Sequence, residues 1–157
     1  MMITEKQIEV NLEKVNQFDD INLDPFIEEQ SEFLSYIKSE IAPSLLEEEL
    51  KLFLFCISVI YNSIREENDN NELTFEIEEF ETNDELNWGQ RDKSTSFEKS
   101  KDLLFENYTE EDLLAFVEDL IADDEDEQLS DVGKEIIFLN AKSYIDTLVK
   151  LNLNQDQ

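Results

Sequence analysis

This 157-residue chain contains no histidine, one cysteine, two glycines and two prolines, and only 12 basic residues face its 41 acidic ones. Each scarcity removes a class of chemistry. Without histidine there is no Ser-His-Asp or Cys-His triad, no imidazole metal site and no ordinary neutral-pH proton shuttle. Gly89 and Gly133 lie too far apart to build a glycine-rich phosphate loop. A lone Cys56 forms no internal disulfide and no thiolate zinc site; it sits inside an apolar run, where a thiol is inert. The carboxylate chemistry that survives, such as glycoside hydrolysis or a carboxylate-bound metal, has no specific signal, because pairs among 41 acids arise everywhere. No catalytic residue, metal ligand or cofactor is expected, and the chain reads as a non-enzyme.

The longest apolar run, Leu50 to Tyr61, has twelve residues, short of the roughly 20 that a membrane helix needs. Residues 1–20 have no basic stretch leading into an apolar one, so no signal peptide is expected, and the expected location is cytoplasmic. A formal net charge of −29 repels nucleic acid and anionic membranes, and attracts basic proteins and cations.

What is present is periodic. Thr4 and Gln7 have capping-box spacing, with Ile8, Leu12 and Val15 on one helical face, although Ile8, Val10 and Leu12 also alternate as a strand would. Asp24-Pro25 starts a second helix, whose Phe26, Ile27, Phe33, Leu34, Ile37 and Ile41 repeat until Ala42-Pro43. Ser44 and Glu47 form the next capping box, opening a helix over about 45–65. It is apolar nearly all round from residue 50 and must be enclosed by its neighbours. Ser96 or Thr95, Thr109 (with Asp112 at the third helical position) and Ser130 open three more helices.

Between these lie less regular stretches. Residues 66–72 read as a polar loop. Leu73, Phe75 and Ile77 alternate with acids, which predicts a minor β element near residues 73–78, paired with the N-terminal segment or another subunit. Residues 82–96 read as a long irregular connection. The expectation is a single mainly α domain over residues 1–157, a five- or six-helix bundle around the helix near 45–65.

The acids are uneven. Asp102 to Gln128 holds twelve acidic residues and no basic one, whereas Leu129 to Gln157 holds four acids and three lysines. Glu110, Glu111 and Asp112 stand near a helix start, where the dipole favours them; Asp123, Asp124, Glu125, Asp126 and Glu127 stand at or beyond its end, where it does not. A cation or a basic partner would offset that repulsion. From Asp124 to Glu135 the spacing partly matches an EF-hand loop, but Leu129 replaces the turn glycine and Asp131 stands where an apolar residue is usual, so specific calcium binding is not expected.

The residues expected to meet a partner are therefore Glu110, Glu111, Asp112, Glu118, Asp119 and Asp123 to Glu127, with Trp88 either pinning its loop to the core or serving as an exposed anchor. The functional expectation is an acidic protein that docks on a basic protein surface, such as that of a nuclease or nucleic-acid-binding protein. In character it resembles DNA-mimic inhibitors and toxin-immunity proteins, a likeness of charge and size alone. The alternative is a self-contained helical domain, with or without homo-oligomerisation, whose acidity serves solubility.

Overall fold

The computed structural model describes residues 2–16, 24–69, 72–123 and 128–155. Among the described residues are eight α-helices: α1 (Glu5–Asn16), α2 (Asp24–Glu29), α3 (Ser31–Tyr36), α4 (Glu47–Glu67), α5 (Ile77–Asp92), α6 (Phe97–Phe105), α7 (Glu111–Ala122) and α8 (Asp131–Gln155). The mainly helical bundle is as expected, and its centre is α4. Phe53, Cys56, Ile57, Ile60, Tyr61 and Ile64 are inaccessible to solvent, enclosed by α1, α2, α7 and α8. The last helix shares that centre, since every residue from Ile137 to Ile145 is buried.

Local chemistry accounts for the helix starts. Thr4 and Gln7 form the anticipated box: the Thr4 N–H donates to Gln7 Oε1 at 2.8 Å, and the Gln7 N–H donates to Thr4 Oγ1 at 3.3 Å. Val10 is exposed while Ile8 is buried and Leu12 half-buried, so the helical period rather than the alternating one describes this segment. Ser96 accepts from the Lys99 N–H at 3.2 Å, and Ser130 from the Gly133 N–H at 3.0 Å.

Five details differ from the sequence reading. The Ser44–Glu47 box is not used, because Ala42–Ser44 is a tight 3-10 turn and α4 starts later, with the Leu46 N–H donating to Glu49 Oε1 at 2.8 Å. The Thr109–Asp112 box is not used either: α7 starts at Glu111, and Asp112 accepts instead from the Glu5 N–H of α1 at 3.2 Å. The helix anticipated over 26–41 breaks at Gln30, and its last turn, Ile37–Ile41, is wound as a π-helix. Gln30 is buried, with its side chain bridging two other segments: Nε2 donates to the Leu73 carbonyl at 2.5 Å, and Oε1 accepts from Tyr144 at 2.9 Å.

That bridge also explains the fourth difference, the missing strand. Among the described residues there is none, and residues 72–76 run without regular structure into α5. Leu73 is buried as the alternation requires, but its backbone needs no second strand. Its N–H donates to Glu29 Oε1 at 3.1 Å, and its carbonyl accepts from Gln30. Two side chains at the end of α2 do the work of a paired edge. Phe75 then joins Phe33, Phe80 and Tyr144 in an aromatic cluster, with Phe33 and Tyr144 stacked at 4.9 Å.

Residues 82–96 are not an irregular connection, because α5 runs through them to Asp92. Its buried residues are Phe80, Asn83 and Asn87, at helical spacing i, i+3, i+7. Two of the three are polar and meet polar positions of α8: Asn83 Nδ2 donates to Thr147 Oγ1 at 2.9 Å, and Asn87 Nδ2 to Ser143 Oγ at 3.0 Å. No helix among the described residues is long and apolar enough to cross a membrane.

Candidate functional site

Helix α7 carries four of the acids singled out in the sequence, Glu111, Asp112, Glu118 and Asp119, and sorts them by face, with Asp123 at its C-cap. Asp112 and Asp119 recur at i and i+7 on α7, and Asp123 at its C-cap continues the same side. That stripe faces α1, where Glu5 and Glu9 stand at i and i+4. Between the two rows lies a groove of about 360 Å³, with Ile8 and Leu12 of α1 and Ala115, Phe116 and Leu120 of α7 as its floor. The groove thus has an apolar base and carboxylate walls, and no lysine or arginine lines it among the described residues. Asp112 has a second duty at one end, accepting from the Glu5 N–H and so holding the start of α1 against α7. At the other end, Leu120 and Asp123 also line an adjoining hollow of about 310 Å³, bordered by Glu48, Lys51 and Leu52 of α4.

The remaining expected residues lie elsewhere. Glu111 and Glu118, seven residues apart, share a different stripe of α7, and Glu118 pairs with Lys101 of α6 at 3.6 Å. Glu110 is not at the surface: it is 1% exposed, and its Oε2 accepts from the Ile3 N–H at 2.9 Å. Burial raises its pKa above the usual glutamate value, opposed by that hydrogen bond. Glu110 is a buried tether for the N-terminal segment, which removes it as a partner-contact residue. Asp124, Glu125, Asp126 and Glu127 fall outside the described residues. Trp88 lies on α5, half-buried against the core, where it and Ser143 hydrogen-bond Asp84. It pins a helix to the core rather than a loop.

A second cavity, of about 500 Å³, opens between α5, α8 and the turn after α6. Its floor holds a cluster that sequence reasoning missed. Lys142 is only 8% exposed; its Nζ donates to Asn87 Oδ1 at 2.8 Å and to Asp146 Oδ2 at 3.1 Å, and lies 4.4 Å from the centre of the Tyr108 ring. Asp146 accepts further from Tyr108 at 2.5 Å and Asn87 at 3.0 Å. Burial, followed by the Asp146 charge, pushes the Tyr108 pKa well up, so the phenol stays protonated as a donor. These hydrogen bonds join α5, α8 and the 106–109 turn.

The groove was partly legible. Asp112, Asp119 and Asp123 stood out in the acidic stretch, whereas Glu5 and Glu9 did not. Their i, i+4 spacing beside Ile8 and Leu12 was the available signal. Comparison with family models, curated proteins and solved structures finds no match to this chain.

Proposed function

We propose that this is a non-enzymatic binding protein whose α1–α7 face docks on a basic surface of another protein, of the kind found on nucleases and nucleic-acid-binding proteins. The observation that carries the reading is the pair of carboxylate rows, Glu5 and Glu9 against Asp112, Asp119 and Asp123, flanking one groove with no lysine or arginine among its described lining residues. Like charges held along facing helices repel, and an incoming basic surface relieves that repulsion while its field speeds encounter. Two rows of carboxylates also present charge as a phosphate backbone does, which suits inhibition by mimicry. A cytoplasmic setting belongs to the same proposal and agrees with a buried free Cys56 whose thiol pKa is raised by burial.

The test compares wild type with the charge-reversed E9K/D119K variant as immobilised bait for basic proteins of the source cell. Both positions are exposed and neither caps a helix. Wild type is expected to retain a basic partner at low salt, to release it steeply as salt rises, and to lose it to added duplex DNA. Equal retention by the variant, or association that survives high salt, would count for an acidity that serves solubility alone.

A further inference from the structure

We infer that the occupant of the α1–α7 groove is a basic amphipathic helix of the partner, seated with its apolar stripe on Ala115 and its lysines or arginines against the two carboxylate rows. This rests on the reading of the protein as a binder of basic partners and names the part of the partner that engages.

Three observations carry it. The first is the floor: Ile8 and Leu12 on one side and Phe116 and Leu120 on the other are each four residues apart, the spacing that a third helix packed between two others meets with its own i and i+4 residues. Ala115 is the smallest residue lining that floor. The second is length. The stripe from Asp112 to Asp123 runs about 16 Å along α7, or roughly three turns of a docked helix. The third concerns the backbone. An extended peptide laid on an apolar floor needs a sheet edge for its N–H and C=O groups, and the described residues contain no strand. A helix satisfies those groups internally. A second copy of this chain is disfavoured, because it would bring its own charge of −29 to a carboxylate-walled groove.

The experiment uses the full chain and three labelled peptides of identical lysine, leucine and alanine content. One is ordered as an amphipathic helix, one is shuffled, and one keeps the order around a central proline pair that forbids the helix. Fluorescence anisotropy at about 50 mM and about 300 mM salt reads binding. The ordered peptide is expected to bind at least tenfold more tightly than the other two. Filling the floor with Ala115→Phe should weaken it at least tenfold while leaving the shuffled peptide unchanged. Leu12→Gln provides a second floor variant should A115F lower the thermal midpoint. Equal affinity for all three peptides, insensitive to both floor variants but lost in E9K/D119K, would overturn the helix and leave basic docking standing. No binding at low salt, or binding unchanged in E9K/D119K, would overturn both.

Discussion

The carboxylate of Glu49, in the first turn of α4, fills the space that a Cβ at Gly133 of α8 would need. Glu49 is buried and cannot easily move aside. Its Oε1 accepts from the Leu46 N–H at 2.8 Å, and its Oε2 from the Ser130 N–H and hydroxyl, both at 2.7 Å. One side chain therefore caps the central helix and fastens the entry to the last. Gly133 serves close approach here rather than backbone freedom.

Gly133→Ala should accordingly destabilise, although Ala in place of Gly inside a helix ordinarily gains about 1 kcal/mol. The overlap either displaces Glu49 from its caps or shifts α8, which costs about 1–3 kcal/mol net and lowers the thermal midpoint by several degrees. In an E49A background the same substitution should be neutral or stabilising, because the obstacle is gone. Additive losses in the double variant, followed by thermal denaturation, would contradict this account.

Gln30 holds the unpaired segment that the alternation of Leu73, Phe75 and Ile77 had marked as a strand. Gln30→Leu leaves the buried Leu73 carbonyl and Tyr144 hydroxyl without their partner, at a cost of about 2–4 kcal/mol. Urea denaturation measures the loss. Limited proteolysis should show new cleavage within residues 72–76, since the contact that anchors this stretch is removed. A variant as protease-resistant as wild type would show that Glu29 alone suffices.

Why the bundle was legible and α5 was not follows from what each helix buries. Sequence periodicity reads apolar residues, and α4 and α7 bury apolar faces, so both stood out. Helix α5 buries Asn83 and Asn87 against Ser143 and Thr147, which a hydrophobic pattern cannot register, and its length made a polar stretch look like a connection. The strand-like alternation at Leu73 reported burial correctly and pairing wrongly, because side chains from α2 and Gln30 supply the partners. For the groove, the acidic run located α7 but said nothing of which helix faced it. That pairing depends on tertiary contact between residues about a hundred positions apart, here marked by Asp112 accepting from Glu5. Glu110 shows the converse error, since an acid at a helix start reads as dipole-favoured and exposed, and only the packed chain reveals it as buried.

Asp84 gives the fold a pH dependence of defined sign. Burial raises its pKa from 3.8 to about 6, against hydrogen bonds from Ser143 and Trp88 that lower it. Because the folded-state value lies above the unfolded one, the folded protein binds this proton more tightly. The favourable contribution is complete below about pH 4 and is lost as pH rises through about 6. Asp84→Asn keeps an acceptor for Ser143 without the charge. It should be more stable than wild type at pH 8, by on the order of 1 kcal/mol once partial exposure is allowed for, and the difference should vanish toward pH 4. Denaturation midpoints of both proteins at several pH values decide it. Comparing the two removes the repulsion among the other acids, which also eases as pH falls.

Lys142 and Asp146 test whether the cluster under the second cavity is structural. Lys142→Met deletes the cation that faces Asp146 and leaves a largely buried carboxylate with only Tyr108 and Asn87 as donors. Breaking a buried pair in this way costs about 3–5 kcal/mol, most of it the penalty of the orphaned charge. Asp146→Asn in the K142M background removes that charge and should recover at least half of the loss, the signature of a coupled pair in a double-mutant cycle. Lys51→Met is the control: Lys51 pairs with Glu48 at 3.5 Å on an exposed face, where solvent screens the interaction, and its removal should leave the thermal midpoint where it was. If K142M behaves like K51M, Lys142 does not hold α5 to α8, and the amine under the cavity would be free to serve a ligand.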